Sequence, residues 1–575
     1  MDSQPGAPGA VCARGAWFNF DANRMITSSP DSIASYTRAG WWGQETLYDL
    51  LEARARTQPD AEALIDPADR MGLLGDAPQR LRYRELLARV QRLAARLEAI
   101  GVGRDQVIVA QLPNVHEMAL LILAASRLGA IVSPMALQYR ASEIGWVVAR
   151  TQARAFVTVT HCRGFDHAAY ARAHLPTEVA VYTIGEDAPA GVLRLGDAQG
   201  PIHTPRATAN DIVTICWTSG TEGRPKGVPR SSNHWIAGAR AKARPDPDEV
   251  YLCTFPLVAA GSIGGQLVPW LVSGGTFVLH HPFDLPLFVE QIRAERVTYT
   301  SAPPAILMRL LASADLLQQA DLSSLRAIGS GSAPLAPTML EAFHDRFGIE
   351  VINNFGSNEG CILFSTEQEI ADPALRATHF PASSRQPGGA AYAGGVIETR
   401  LLDPDGSGDV EVAGRPGGLL IRGPTVFDGY WSETGLDRGS FDAEAYFHTG
   451  DLLELVDAGA AGMLYRFVGR SKELIVRGGM KISPAELEEH LVAMPGIKEV
   501  ACVGYSDPVL GERVAAVVVP NAGETVTLER LLGFLRTREL AVYKLPERLY
   551  LADSLPRNPT NKVIRSELRN QLGIT

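Results

Sequence analysis

The chain has 575 residues, which is too long for one compact core, so we expect two to four domains. Its composition is ordinary for a globular protein, with 46% hydrophobic residues, and its net charge of −10 argues against a general binder of nucleic acid or anionic membranes. The six cysteines form no CxxC motif, which predicts reduced thiols in a cytoplasmic protein. We find neither a signal-peptide core nor an apolar run of about 18 residues, so no membrane span is expected.

Strands and helices alternate through the first 350 residues. Residues 1–30 are rich in Gly, Pro and Ser and are predicted to be a flexible extension. Apolar spacing then predicts a helix over 81–100, a buried strand over 106–111, a helix over 116–128 and a strand over 130–132. Similar alternation from about 150 to 350 predicts parallel sheets covered by helices.

The pattern changes in the last third of the chain. Between about 417 and 469 it predicts short strands joined by turns. A small α/β unit is predicted after Lys472, with strands at 473–477, 500–505 and 513–520 and helices at 483–494 and 528–540. We therefore predict an α/β protein. Its large domain, 31–470, combines stacked α/β subdomains with a β-rich subdomain, and a small α/β domain follows at 471–575.

A polar loop, TSGTEGRPKG, follows the short apolar strand Ile212–Trp217. Its glycines let the backbone approach phosphate oxygens, its hydroxyls can donate hydrogen bonds, and Lys226 supplies a positive charge. The spacing of a Walker loop is absent, and a plain polar turn after a buried strand is the alternative. Glu222 is unexpected here, because a carboxylate beside a triphosphate repels it.

Six further motifs follow this loop in a fixed order. They are SGSAPL at 330–335, NNFGSNEG at 353–360, GPTVFDGYW at 423–431, FHTGDL at 447–452, GRSKELIVRGGMKISPAELE at 469–488 and PRNPTNKVIRSEL at 556–568. Together with the loop they resemble the adenylate-forming superfamily of acyl-CoA ligases, luciferases and carrier-protein adenylation domains, over roughly residues 45–570. The chain is most similar to an AMP-forming acyl- or aryl-CoA ligase. Such enzymes join a carboxylate to AMP, and a thiol then displaces the AMP.

The resemblance implies a role for each matching residue. Lys562 bridges the carboxylate and the α-phosphate, and Glu359 binds Mg²⁺. Asp451 accepts both ribose hydroxyls, Arg470 contacts ribose or phosphate, and Phe355 stacks on adenine. The remaining nucleotide-binding positions are Thr218, Ser219, Gly220, Thr221 and Lys226 around the β- and γ-phosphates, Asn354, Gly356 and Asn358 beside Phe355, and Ser332, Ala333 and Pro334 on the other wall of the adenine slot. Thr218 is counted with Lys562 and Glu359 as catalytic.

The small domain moves in the family that the chain resembles, with the hinge near Lys472. One orientation delivers Lys562 for adenylation, and the other brings Gly478 and Gly479 beside a channel for pantetheine. Adjacent glycines suit close passage of a thin ligand, although they also suit a plain turn. The implied cofactors are ATP or AMP, Mg²⁺ and coenzyme A.

Four positions depart from the family pattern: Glu222, Asn358 in place of Thr, Asn561 in place of Gly, and Gly418 in place of a common Glu, which we interpret as structural. Each change is tolerable alone. Together they raise the alternative of a variant that does not adenylate and only converts a preformed acyl-adenylate to acyl-CoA. If so, exchanging Glu222 and Asn358 for Thr should raise ATP-dependent turnover.

The segment TFPLVAAGSIGG, at 254–265, lines the acyl pocket in the resembled family. The predicted pocket residues are Val258, Ala259, Ala260, Gly261, Ser262 and Gly331. Their small size leaves volume for a bulky, largely apolar acid of aryl, alicyclic or polycyclic type, while a tightly packed helix start is the alternative. No Asp lies between Thr254 and Trp270 to hold an ammonium group, so an amino acid is not expected.

Other function classes fit less well. A nicotinamide oxidoreductase needs G-x-G-x-x-G, and IGSGSAPL has Pro334 at the third glycine. A luciferase-like oxygenase and an acyl-AMP ligase that loads a carrier protein remain open. The expected partners are a carboxylic acid and CoA, with a carrier protein, a separate adenylating enzyme or a second copy in a homodimer as further options, and no nucleic acid. His280 and His281 are predicted to end a strand rather than to bind a metal.

Overall fold

The structure is a computed structural model that describes residues 25–185, 187–218, 225–242, 246–331, 335–382, 396–403, 408–477, 480–538, 540, 542–558 and 562–574. Its strands are β1 (Glu62–Ile65), β2 (Arg80–Arg82), β3 (Val107–Gln111), β4 (Ile131–Pro134), β5 (Ala155–Thr158), β6 (Ala180–Thr183), β7 (Leu193–Arg194), β8 (Ile212–Thr218), β9 (Lys226–Ser231), β10 (Val250–Cys253), β11 (Thr276–Leu279), β12 (Tyr299–Ser301), β13 (Ala327–Gly331), β14 (Glu350–Gly356), β15 (Ile362–Ser365), β16 (His379–Pro381), β17 (Glu398–Leu402), β18 (Pro416–Arg422), β19 (Tyr430–Ser432), β20 (Gly435–Asp437), β21 (Phe447–Asp457), β22 (Met463–Arg470), β23 (Ile475–Arg477), β24 (Met480–Ile482), β25 (Ile497–Asp507), β26 (Gly511–Pro520) and β27 (Arg548–Leu551).

The α-helices are α1 (Pro30–Arg38), α2 (Leu47–Thr57), α3 (Arg70–Leu74), α4 (Tyr83–Ala99), α5 (His116–Leu128), α6 (Ala141–Thr151), α7 (His167–His174), α8 (Ser232–Lys242), α9 (Ala260–Ser262), α10 (Val268–Ser273), α11 (Leu285–Ala294), α12 (Pro304–Ala312), α13 (Ala314–Gln319), α14 (Pro337–Phe347), α15 (Pro373–Arg376), α16 (Pro484–Val492), α17 (Leu528–Arg536) and α18 (Arg565–Gln571). A π-helical turn, Ile263–Leu267, joins α9 to α10. Within the described ranges, no helix combines the length and the apolar character that crossing a bilayer requires.

Two large mixed sheets form the centre of the large domain. One has the strand order β15-β14-β13-β12-β10-β11-β1-β2 and the other β20-β19-β9-β8-β4-β3-β5-β6-β7. Their central strands are parallel, which confirms the prediction from the alternating pattern. One continuous cluster of buried side chains contains Leu64 and Phe277 from the first sheet, Ile108 from the second, and Leu121 from helix α5. The apolar core therefore lies between the two sheets, around the helices that separate them.

The remaining sheets account for the last third of the chain. Strands β16-β22-β21-β18-β17 form an antiparallel sheet, as the short-strand pattern around 417–469 predicts. Strands β24-β23-β26-β25, with β27 beside β26, form the sheet of the smaller C-terminal domain. The predicted boundaries at 30 and 470 and the hinge near Lys472 remain predictions.

Most predicted elements are present, with shifted ends. Helix α4 begins at Tyr83 rather than Leu81, because residues 80–82 pair as strand β2 and the Arg82 N–H is capped by the Glu85 carboxylate at 2.9 Å. Helix α17 ends at Arg536, four residues before its predicted end. The predicted extension lies mostly outside the described residues, but the hydroxyls of Thr27 and Ser28 donate to Asp428 at 2.9 and 2.7 Å.

Candidate active site

The hairpin of β8 and β9 forms one edge of a large central cleft. Thr218 ends β8 and Lys226 begins β9, and these two residues are partners in the strand register. The Nζ of Lys226 lies 4.8 Å from the centre of the Tyr430 ring. Residues 219–224 lie outside the described residues, so the predicted roles of Ser219, Gly220 and Thr221, and the question of Glu222, stay predictions.

Glu359 lies in the turn after β14, where it faces Tyr430. Its side chain is buried, and its Oε1 accepts a hydrogen bond from the Tyr430 hydroxyl at 2.9 Å. Burial and the neighbouring Glu359 charge raise the pKa of Tyr430, so the phenol keeps its proton and donates it. One oxygen of Glu359 is thus held in place. The other accepts no hydrogen bond from the described residues and is available to a hard cation, which prefers carboxylate ligands.

Asn358, which precedes Glu359, connects three parts of the site. Its Oδ1 accepts from the Ala260 N–H at 2.7 Å, and its Nδ2 donates to the Trp217 carbonyl at 3.3 Å. Its own carbonyl accepts from Nη1 of Arg230 at 2.7 Å. The residue that departs from the family pattern therefore ties the acyl-pocket segment to the strand that leads into the phosphate loop.

Arg230 is a buried cation behind the turn that carries Glu359. Its guanidinium lies over the Trp235 ring at 4.3 Å, and Nη2 donates to the His234 carbonyl at 3.2 Å. Burial lowers its pKa to about 10, a loss that the charges of Glu359 and Asp428 oppose. Arg230 adds positive charge to the same end of the cleft as Lys226.

The β-rich sheet and the C-terminal domain supply the opposite wall. Asp451 and Arg470 are partners in the β21–β22 register, and Nε of Arg470 donates to Oδ1 of Asp451 at 3.1 Å. Burial raises the pKa of Asp451, while Arg470 and Lys562 lower it. Burial and Arg470 lower the pKa of Lys562, while Asp451 and Glu359 raise it. The structure thus brings together Lys562, Asp451, Arg470 and Glu359, which lie up to about 200 residues apart in the chain.

Lys562 is held by its own loop and by the helix that follows. Its N–H donates to Oδ1 of Asn558 at 2.8 Å, and its carbonyl accepts from the Asn558 N–H at 2.8 Å. Three residues later, Arg565 pairs with Glu488 at 2.8 Å and with Glu473 at 2.7 Å. Glu473 belongs to the 3₁₀ turn Ser471–Glu473, so these ion pairs join the lysine loop to the predicted hinge.

The predicted adenine slot is only partly described. The Phe355 ring is half-buried in the cleft, with its centre 5.8 Å from that of Phe380 and 5.4 Å from that of Phe467. Gly331 is the strand partner of Asn354, and a Cβ added there would lie 2.0 Å from the Asn354 carbonyl oxygen, so only glycine fits. Gly356 follows Phe355 and is exposed. Ser332, Ala333 and Pro334 lie outside the described residues.

The predicted acyl-pocket segment also lines the cleft, together with Gly331. Val258 and Ser262 are buried, and the Ser262 hydroxyl donates to the Pro256 carbonyl at 2.5 Å. Ala259 and Ala260 are partly accessible and Gly261 is exposed. Gly261 has open space around it, since an added Cβ would meet nothing within 4 Å. The segment therefore presents small, accessible positions to the cleft, as the pocket prediction requires.

Three residues are predicted to act when the small domain moves for the thioester step. Lys472 lies in the 3₁₀ turn between β22 and β23, and Gly478 and Gly479 lie outside the described residues. Their roles as hinge and pantetheine channel stay predictions. His280 follows the end of β11, where its Nδ1 contacts Oε1 of Gln291 at 2.5 Å, in keeping with a structural role.

The cleft has room and charge for a nucleotide. Its volume of about 3580 Å³ is several times that of a pocket for one drug-sized ligand, roughly 300–1,000 Å³. Lys226, Arg230, Arg470 and Lys562 surround it, which suits a triphosphate. The spare oxygen of Glu359 suits Mg²⁺, so the residues present fit ATP and its metal.

The chain is similar to known enzymes along most of its length. The AMP-binding enzyme family matches residues 51–431, and the AMP-binding enzyme C-terminal domain matches residues 486–562. The chain belongs to the AMP-binding enzyme family. It is an acyl-adenylate-forming ligase, which confirms the resemblance drawn from the motifs.

The names of several relatives specify aromatic acids. The chain is 31% identical to 2-hydroxy-7-methoxy-5-methyl-1-naphthoate–CoA ligase of Streptomyces carzinostaticus, over 95% of this chain and 96% of the relative. It is also 31% identical to salicyl-AMP ligase / salicyl-S-ArCP synthetase of Mycobacterium tuberculosis, over 95% and 94%. The crystal structure of ATP-bound MatB from Rhodopseudomonas palustris superposes with a TM-score of 0.76 at 25% identity, covering 92% of this chain and 99% of MatB. The fold is thus that of adenylate-forming enzymes.

Proposed function

We propose that the enzyme joins a bulky carboxylic acid to AMP and then transfers the acyl group to coenzyme A. The position of Lys562 carries this proposal. The lysine comes from the C-terminal domain, yet the charges of Asp451, Arg470 and Glu359 in the large domain act on it. A cation delivered to this point can meet the carboxylate and the α-phosphate together.

In the first step, a carboxylate oxygen forms a bond to the α-phosphorus, and the bond from that phosphorus to pyrophosphate breaks. The barrier is mainly electrostatic, because an anion attacks a polyanion. Lys562 offsets the charge at the α-phosphate, and Lys226 lies at the mouth of the loop proposed for the leaving phosphates. Mg²⁺, held by Glu359, would supply further positive charge to those phosphates.

In the second step, the CoA sulfur bonds to the acyl carbon, the bond to AMP breaks, and the thiol proton passes to solvent. We place the thiol channel at Gly478 and Gly479. A bulky side chain there should block pantetheine and leave the nucleotide site intact, so Gly479→Leu should reduce thioester formation and spare adenylation. Equal loss of both half-reactions would argue against this placement.

The acid is proposed to be aryl, alicyclic or polycyclic. Two observations support this class. The accessible residues of the pocket segment are small, and the chain is similar to ligases whose names specify a naphthoate and salicylate. An amino acid or acetate as the best substrate would contradict the proposal.

The test measures acyl-CoA by mass spectrometry for a panel of bulky acids. Each acid is supplied either free, with ATP and Mg²⁺, or as its synthetic adenylate without ATP. Product by both routes supports the full reaction. Product from the adenylate alone supports the non-adenylating alternative, and acyl transfer to a carrier protein but not to CoA supports the carrier-loading alternative. No product by any route refutes the proposal.

A further inference from the structure

Lys242 is a cation that lines the cleft and that the reaction above does not use. It is the last residue of α8, and it follows His234 and Gly238 at four-residue spacing on the helix face that lines the cleft. Its side chain is exposed to the cleft, and its Nζ lies 3.3 Å from Oδ1 of Asn354 and 5.0 Å from the centre of the Phe364 ring.

The contacts of Lys242 are neutral. Within the described part of the chain, no carboxylate forms an ion pair with it. The surrounding protein lowers the pKa of Lys242 to about 8, and no nearby acid opposes this effect. A lysine with this pKa is still mostly protonated at pH 7. Among the described residues the cation therefore has no counter-charge, unlike Arg240 on the same helix, which pairs with Glu45 at 2.5 Å.

Further polar groups lie beside Lys242, around Gly329. A Cβ added to Gly329 would lie 2.5 Å from the Tyr299 hydroxyl, 2.8 Å from Nδ2 of Asn354 and 3.0 Å from Oγ of Ser301. Tyr299 and Asn354 are half-buried, and all of these residues line the cleft. Together with Lys242 they form a polar floor, which we define as Lys242, Tyr299, Ser301 and Asn354.

The polar floor lies away from the reacting end of the cleft. Helix α8 starts just after Arg230, which contacts the turn that carries Glu359, and Lys242 is at the other end of this helix. Its eleven residues span about 16 Å at about 1.5 Å per residue. An acid that reacts beside Glu359 and extends along α8 would therefore bring its far end to the polar floor.

We propose that Lys242 binds an oxygen of the acid remote from the reacting carboxylate. The substrate class is then a bulky acid that carries a second oxygen function, either a hydroxyl or carbonyl oxygen or a second carboxylate. This inference rests on the proposed function. It changes the expected substrate from a largely apolar acid to one that is polar at the end remote from the reacting carboxylate. A substrate without that oxygen would bury the ammonium group with only the neutral Asn354 amide as its partner, which is unfavourable for a charge.

The test compares matched acids on one skeleton: biphenylcarboxylate, its derivative with a hydroxyl on the far ring, and the symmetric dicarboxylate, with the corresponding naphthalene series. Each is supplied as its adenylate, and thioester formation is measured as kcat/KM. Calorimetry of the matching non-hydrolysable acyl-sulfamoyl adenosines gives binding that does not depend on CoA. We expect the enzyme to favour a member with a far oxygen by about tenfold or more over the unsubstituted acid.

Substitutions test whether Lys242 causes this preference for acids with a remote oxygen. Lys242→Met should abolish it while leaving the unsubstituted acid unchanged or better, and Lys242→Arg should retain it in part. Arg240→Met, a change of the same kind in the same helical turn, should leave it intact. If only the dicarboxylate is preferred, the group that Lys242 binds is an anion. If the hydroxyl acid is preferred equally, that group is a neutral hydrogen-bond acceptor.

The two proposals fail in different ways. Thioester formation without any preference, or an equal loss for all acids in Lys242→Met, would overturn the role of Lys242 alone. Selective binding of the far-oxygen compounds without any thioester would support Lys242 and count against the CoA step.

Discussion

Tyr430→Phe is the most direct test of how Glu359 is positioned. The change removes only the hydroxyl that donates to Oε1 of Glu359 at 2.9 Å. The ring stays, and with it the contact to Nζ of Lys226 and the edge-to-face packing against Phe427, whose ring centre is 4.8 Å away. Any effect therefore reports on the carboxylate rather than on packing.

The size of the effect follows from the type of bond. A hydrogen bond to a charged group contributes about 1.5–3 kcal/mol, which is roughly a 10- to 150-fold change in an equilibrium or rate. Glu359 lies in the cleft, where water can replace the lost donor, so we expect the lower part of this range. Freed from Tyr430, the carboxylate can rotate, and the Mg²⁺ concentration needed for half-maximal adenylation should rise about tenfold.

The assay is the Mg²⁺ dependence of acid-dependent exchange between ATP and pyrophosphate. Thioester formation from a synthetic adenylate serves as the internal comparison and should change little. Tyr446→Phe is the matched control, because its hydroxyl also donates to a carboxylate, Glu398, at 3.0 Å but outside the cleft. An unchanged Mg²⁺ dependence in Tyr430→Phe would refute the positioning role, and an equal loss of both half-reactions together with a lower Tm would indicate a structural role instead.

Three further predictions concern charge. Arg565→Met leaves the half-buried Glu488 without its ion-pair partner and should cost about 1.5–3 kcal/mol in urea unfolding, whereas Arg293→Met, at a fully exposed pair, should leave the unfolding curve nearly unchanged. Because burial and Arg470 lower the pKa of Lys562, exchange should fall as the pH rises through that lowered value, and Lys562→Arg should move the fall to higher pH; a pH profile that does not move contradicts this. Burial lowers the pKa of His167 from 6.5 to about 4, so the unfolded chain takes up a proton first and stability is lost as the pH falls from 6.5 towards 4. His167→Asn should reduce that slope by up to about 1.4 kcal/mol per pH unit, and an unchanged slope would show that His167 does not contribute.

The sequence predicts those elements whose periodicity is set by burial against a core. Helix α5 has the predicted ends, 116–128, because its apolar residues lie between two sheets and Gly129 adopts a left-handed conformation at its end. Strand β27 was missed, since it is only four residues long and its partner β26 precedes it by about 30 residues. Pairings of this kind depend on tertiary contacts, which leave no local pattern.

The same distinction holds for the site. Residues inside the motifs, such as Glu359, Asp451 and Lys562, could be named from resemblance, and the structure places them around one cleft. Tyr430 lies within the GPTVFDGYW motif, but its partner is 71 residues away, and nothing in the motif identifies that partner. Lys242 gave less signal still, because a basic residue in the last turn of a helix is ordinarily explained by the helix dipole.

Asn358 shows how a departure from a family pattern can be structural. The sequence alone allowed it to mark a weakened adenylation step. In the structure its side-chain amide makes two hydrogen bonds. The Oδ1 atom accepts from the Ala260 N–H, and the Nδ2 atom donates to the Trp217 carbonyl. Asn reaches the two backbone groups with two separate atoms, Oδ1 and Nδ2, whereas Thr has one oxygen on a shorter side chain. Asn358→Thr should therefore leave one of the two backbone groups without its partner. We therefore expect this substitution to lower ATP-dependent turnover rather than to raise it, and to weaken acid binding as well, because Ala260 belongs to the proposed acyl pocket. A gain in turnover would show that the asparagine does mark a lost adenylation step.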